Sequence, residues 1–86
     1  MSRALTIHRS IVPSTDRKKF LQKLRARRDY YGRQKCHFWA FEERDLAGAF
    51  IEFIEAADAD TLARALAEAP EAVIDAARIY EEVELD

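Results

Sequence analysis

Along residues 4–12, Leu5, Ile7 and Ile11 fall on one side of a two-residue alternation, Arg9 breaks the series, and Thr6, His8 and Ser10 fall on the other. That period, with β-branched residues, predicts a first strand. Pro13 ends it, Ser14 or Thr15 serves as a helix cap, and Asp16 sits in the favourable first turn. Phe20, Leu21, Leu24, Arg28 and Tyr31 then recur at helical spacing, and Gly32 suits a left-handed stop after about Tyr31. Lys18, Lys19, Lys23, Arg25 and Arg27 cover the other sides, so this amphipathic helix lies on something.

Residues 36–43 are aromatic and predict a second strand; residues 44–48 supply a short turn containing Gly48, and residues 49–55 a third strand, which makes a hairpin. Asp58 or Asp60 caps a second helix carrying Leu62, Leu66 and many alanines, and Pro70 breaks it. A further helical stretch over residues 71–77, with Val73 and Ile74 turned inward, leads to a fourth strand over residues 78–85, with Ile79, Val83 and Leu85 on one side. The order strand–helix–strand–strand–helix–strand predicts an α+β domain, βαββαβ, with two helices on one face of a four-stranded antiparallel sheet.

The sheet is apolar on both faces, whereas a face that meets water is expected to be polar. With the turn centred near Ala47, positions 39 and 54, and 41 and 52, lie opposite each other. One face then holds Cys36, Phe38, Ala40, Ile51 and Phe53, which suits contact with the helices. The other holds His37, Trp39, Phe41, Phe50, Glu52 and Ile54. A one-residue slip exchanges the strand-three partners. An uncovered apolar face needs a cover, and the economical one is the same face of a second copy; the alternative is that the carboxy-terminal segment folds over it.

Length and charge narrow the field. The 86 residues leave room for one domain, residues 1–86, and a core this small favours oligomerisation. No apolar run approaches the ~20 residues that span a bilayer, no signal core follows Met1, and the single Cys36 excludes an internal disulfide. No membrane association is expected, and the cytoplasm is the expected compartment. Residues 1–41 carry 11 Lys and Arg against Asp16 and Asp29, a net +9, while residues 42–86 carry three Arg against 14 acids, a net −11. Mutual attraction between the halves accounts for this, with a basic patch for anionic partners as the alternative.

From residue 32 to residue 66, a glycine after the helix leads into an aromatic strand, a turn with Gly48, and the run Phe50-Ile51-Glu52-Phe53-Ile54-Glu55-Ala56-Ala57-Asp58 entering an acid-capped helix. This resembles the dimeric α+β barrel superfamily, ferredoxin-like domains that pair through their sheets, and in particular its antibiotic-biosynthesis-monooxygenase-like branch. The resemblance implies a homodimer joined through its sheet faces and a pocket for a small aromatic ligand. It does not select an activity, since the superfamily holds oxygenases, haem-degrading enzymes and isomerases.

Within such a pocket, His37 and Glu52 are the candidate acid–base pair, able to move a proton from an acidic C–H or O–H. His8, Trp39, Phe41, Phe50 and Tyr80 are the candidate ligand-binding residues. The bland alternative pairs His37 with Glu52 at a dimer interface, with Trp39 as an interface anchor. No metal is expected: Cys36 and His37 are adjacent on a strand and point to opposite faces. No cofactor is expected either, for there is no phosphate-binding glycine loop, and haem on His8 or His37 would rest on the family likeness alone. Nucleic acid is also not expected. Leu46, Ala47 and Gly48 stand where an RNA-recognition strand needs a basic residue, a glycine and an aromatic, and Glu52 and Glu55 would repel phosphate. Two readings stay open: a small-molecule-binding, cofactor-independent monooxygenase-like protein, and a non-enzymatic dimeric interaction module.

Overall fold

A computed structural model describes residues 2–71 and 78–85. β1 (Ala4–Ile11) is followed by a single 3-10 turn (Ser14–Asp16) and α1 (Arg17–Arg33). β2 (His37–Glu42) and β3 (Ala49–Ala56) form a hairpin, and α2 (Ala59–Ala67) and β4 (Tyr80–Glu81) complete the order. The sheet runs β2-β3-β1-β4 with antiparallel pairing throughout. This is the ferredoxin-like βαββαβ arrangement. The helical stretch expected over residues 71–77 lies, apart from Glu71, outside the described residues.

The helix ends differ from expectation in instructive ways. Residues 14–16 form the 3-10 turn, with the Asp16 N–H on the Pro13 carbonyl at 2.9 Å, so neither Ser14 nor Thr15 caps α1. Gly32 lies inside α1 and the left-handed residue is Lys35, at φ 62°. The Cys36 N–H donates to the Tyr31 carbonyl at 2.9 Å and the Lys35 N–H to the Gly32 carbonyl at 3.3 Å, the two bonds of a Schellman stop. Cys36 and Tyr31 are both buried in one apolar cluster, which supplies the hydrophobic contact that accompanies such a stop. At α2 the alternative resolves to Asp58, whose Oδ1 accepts the Thr61 N–H at 2.7 Å. That bond holds the Asp58 carboxyl below its ordinary range.

The covered face of the sheet carries Ala4 and Thr6 from β1 and Phe50, Glu52, Ile54 and Ala56 from β3, all buried. Leu62 and Ala65 of α2 and Leu24 and Tyr31 of α1 close over them. Small residues at Ala4, Ala56 and Ala65 let α2 approach the central strands closely. Over the hairpin, Phe20 packs on Phe50 at 4.8 Å between ring centroids. Thr6 donates its hydroxyl to the Arg78 carbonyl at 2.8 Å, which satisfies a buried polar group and ties the chain before β4 to the central strand.

The hairpin closes one residue away from the expected register. Trp39 faces Phe53, Phe41 faces Ile51 and Ala40 faces Glu52. Phe50, Glu52 and Ile54 therefore belong to the covered face, and Ile51, Phe53 and Glu55 take the positions beside Trp39. The connection explains the slip. Gly48, at φ 90°, donates its N–H to Glu42 Oε2 at 2.8 Å and accepts the Val12 N–H at 2.8 Å, and a Cβ there would stand 2.3 Å from the Val12 carbonyl oxygen. Only glycine fits this position. Glu42 also takes both Arg17 Nη atoms, at 2.7 and 2.8 Å, so the hairpin is bolted to the start of α1. The Arg17 hydrogen bonds and the Gly48 N–H hold the Glu42 carboxyl at about 2.

β4 is shorter than expected. Among the described residues its ladder with β1 consists of Tyr80 and Glu81, opposite Leu5 and Ala4, with the Glu82 N–H donating to the Arg3 carbonyl at 2.8 Å. Ile79 packs against the core, but Val83 and Leu85 are exposed rather than aligned with it on a packed strand face. Among the described residues no helix is long and apolar enough to cross a membrane.

Candidate functional site

The residues singled out in the sequence divide between the two faces of the sheet. His37, Trp39, Phe41 and Tyr80 lie on the open face, and His8, Phe50 and Glu52 on the covered one. The structure does not bring His37 and Glu52 together, because the backbone of the sheet separates them.

On the open face, Leu5 and Ile7 of β1 stand opposite Glu55 and Phe53, and Ile11 stands at the end of the strand opposite Ala49. Phe41 meets Phe53 edge to face at 5.8 Å, the geometry aromatic quadrupoles favour. Trp39 is 43% exposed and Phe41 55%. A shallow groove of about 490 Å³, lined by Arg9, Ile11, Phe41, Leu46 and Ile51 among others, runs beside the hairpin. At the other end the charges form a chain. His37 Nδ1 lies 3.1 Å from Glu55 Oε1, Arg3 Nη1 donates to Glu55 Oε2 at 3.1 Å, and Arg3 also holds Glu82 through two bonds of 2.8 and 3.0 Å. The His37 side chain is 76% exposed, so water competes for this pair.

The covered face holds a different constellation. Glu52 is 1% exposed, and its Oε1 accepts from Arg27 Nη1 at 2.6 Å. Among the described residues its Oε2 has no hydrogen-bond partner. Arg27 is forked: its Nη2 donates to Glu71 Oε1, also at 2.6 Å. Burial pulls the Arg27 guanidinium down, but the bonds to Glu52 and Glu71 outweigh it and the net direction is up. His8 stands directly opposite Glu52 across the β1–β3 ladder, where side chains share a face with Cβ atoms ~5 Å apart. Its Nε2 lies 3.1 Å from Ser10 Oγ. Tyr31 is buried nearby, and loss of solvent pushes its phenol up to about 12.

A carboxylate buried this deeply is tolerated only with a partner. Arg27 supplies it through one oxygen, which leaves the other with lone pairs for a donor. That oxygen is itself out of contact with solvent, so the chemistry it offers, acceptance of a hydrogen bond or of a proton, is open to a donor that reaches it beneath the helices. Phe50 precedes Glu52 by two residues on the same face, and with Phe20 it supplies aromatic surface beside it. Cys36 offers no comparable chemistry, since burial pushes its thiol up and away from the reactive thiolate. Among the described residues no three His, Cys, Asp or Glu side chains gather closely enough to hold a metal ion.

Sequence reasoning missed Arg27, Glu55 and Arg3. Arg27 was readable: it follows Leu24 by three positions and precedes Tyr31 by four, which places it on the buried stripe of α1 rather than its solvated side. Glu55 and Arg3 carried no such signal, because their pairing depends on the register. No protein-family model, curated protein or solved structure matches the chain.

Proposed function

We propose that the protein is a small-molecule-binding dimeric α+β barrel protein of the cofactor-independent, monooxygenase-like kind, in which Glu52 accepts a proton from a hydroxylated aromatic ligand. The observation that carries this reading is a carboxylate 1% exposed, held by Arg27 through one oxygen and unpartnered at the other among the described residues. Arg27 keeps Glu52 oriented, and His8 across the ladder is the group placed to pass the proton on. Dimerisation through the open face covers Trp39, Phe41 and Ile11. Glu52 then replaces the His37–Glu52 pair as the acid–base centre, with His37 and Glu55 at the rim of the interface.

The test is binding and oxygen uptake with a panel of phenols and quinols, for the natural chain and Glu52→Gln. Gln keeps an oxygen for Arg27 but cannot take the proton, and a positioned general base contributes ~10²- to 10⁴-fold. Equal turnover in both proteins would remove Glu52 from the chemistry. The second reading, a non-enzymatic dimeric module, is favoured by the breadth of the open apolar face. It gains if light scattering gives a dimer that persists on dilution while no member of the panel binds.

A further inference from the structure

The two carboxylates on Arg27 differ in standing. Glu52 is fixed on the central strand β3, and through it one end of the guanidinium is fixed as well. Glu71 follows Pro70 beyond α2, and its side chain is 50% exposed. The Arg27 end that meets Glu71 opens into a cleft of about 100 Å³ between α1 and the chain after α2, walled by Ala26, Tyr30, Tyr31, Ala69 and Pro70. Lys23 stands one helical turn before Arg27 and lines the same cleft. Two cations thus border a small, mainly apolar recess, and a carboxylate sits among them.

We infer that this cleft is a binding site for a small monocarboxylate, and that Glu71 is the internal competitor for it. Glu71 displays the recognition chemistry itself: the Arg27 hydrogen bond draws its carboxyl below the ordinary range against the opposing effect of burial, and the Lys23 charge adds to the pull. The receptor is pre-organised, since Glu52 holds the guanidinium whether or not Glu71 is in place, so an external acid loses little in ordering it. The competitor is weakly held, because a half-exposed ion pair is screened by water and salt. The recess is smaller than the ~150 Å³ that encloses a benzene ring. It therefore selects a short branched or unbranched acid, with the chain against Tyr30 and Pro70 and the carboxylate on Arg27 and Lys23. This ligand is separate from the hydroxylated ring proposed for Glu52, and neither proposal needs the other.

The experiment is a titration of the full chain with isobutyrate, and with isobutyramide as the neutral isostere, followed by amide chemical shifts. Isobutyrate is expected to shift Lys23, Ala26 and Tyr30, and isobutyramide to leave them unmoved. Glu71→Ala removes the competitor without touching the core and is expected to tighten isobutyrate about fivefold, while Lys23→Gln weakens it by a similar factor. Three results would overturn the inference: an affinity in Glu71→Ala no better than in the natural chain, equal binding of the amide, or shifts centred on Lys18 and Lys19, which would mark a diffuse basic surface. Phenol binding and oxygen uptake unchanged in Lys23→Gln, alongside the weakened isobutyrate, separate this site from the one at Glu52, because Lys23 lines this cleft and has no part in the reading of Glu52.

Discussion

Glu52 and Glu55 stand three residues apart on β3, and the two faces of the sheet treat them differently. On the covered face Glu52 is 1% exposed and leans on one partner, Arg27. On the open face Glu55 keeps 18% of its side chain in solvent and has two partners, Arg3 and His37, each at 3.1 Å. Loss of a partner from Glu55 is made good by water. Loss of Arg27 strands a charge where no water reaches it. The same residue type on the same strand is thus a replaceable surface charge in one place and a buried charge dependent on a single ion pair in the other.

The sharpest way to break that contrast is to remove the partners. Arg27→Met is expected to destabilise the fold by ~3–5 kcal/mol in urea unfolding, and the double change Arg27→Met with Glu52→Met to recover much of it. His37→Ala, on the open face, is expected to cost no more than ~1 kcal/mol. Similar losses from both single changes would mean that the faces do not differ in the way their burial indicates.

Next in size is Gly48→Ala, which tests what assigns Glu52 and Glu55 to their faces. A side chain at φ 90° against the Val12 carbonyl is expected to cost about 2–3 kcal/mol. If the hairpin instead slips to the other register, Glu52 would move beside Trp39, and the urea midpoint would fall together with a change in Trp39 fluorescence. An unchanged midpoint would show that the turn is not what sets the register.

The open face offers a comparable effect in association rather than folding. For the proposed sheet-to-sheet dimer, Trp39→Ser is expected to weaken association by ~2 kcal/mol or more, seen as a lower mass by light scattering on dilution, with the monomer fold intact. A mass that does not respond to Trp39 would point to some other cover for this face.

A smaller effect concerns the start of β2. Lys35→Gly relieves a left-handed lysine and is expected to stabilise by ~0.5–1 kcal/mol, and Gly32→Ala, inside α1 with open space around it, by a similar amount. Placing the helix stop at Gly32 predicts the opposite outcome for both, so the pair of thermal midpoints distinguishes the two placements. The mildest signal is in pH. The Glu42 carboxyl is depressed from 4.5 to about 2, so its contribution is present above pH 4.5 and is lost as pH falls towards 2. In Glu42→Gln the dependence of stability on pH should be flatter across that window, and an identical slope would show that the clamp on Arg17 and Gly48 is not formed in solution.

Much of this molecule is readable along the chain. The order of elements, the amphipathic first helix with Leu24 and Tyr31 inward, an acidic cap at Asp58 or Asp60 and the apolar character of both sheet faces follow from local periodicity and side-chain chemistry. The facing of β3 does not. Phe50, Ile51, Phe53 and Ile54 are apolar on both sides of the strand, so alternation carries no information about which side is covered, and a shift of one residue exchanges every partner. Tertiary contacts decide it: Gly48 pressed against Val12, and Glu42 held between Arg17 and the Gly48 N–H, close the hairpin in the one register that places Glu52 beneath the helices. From that single displacement come the separation of Glu52 from His37 and its pairing with Arg27, while the ladder between β1 and β3 sets its position opposite His8. Periodicity belongs to the residues in sequence, whereas register belongs to contacts between segments far apart in the chain, and the candidate site is built from register.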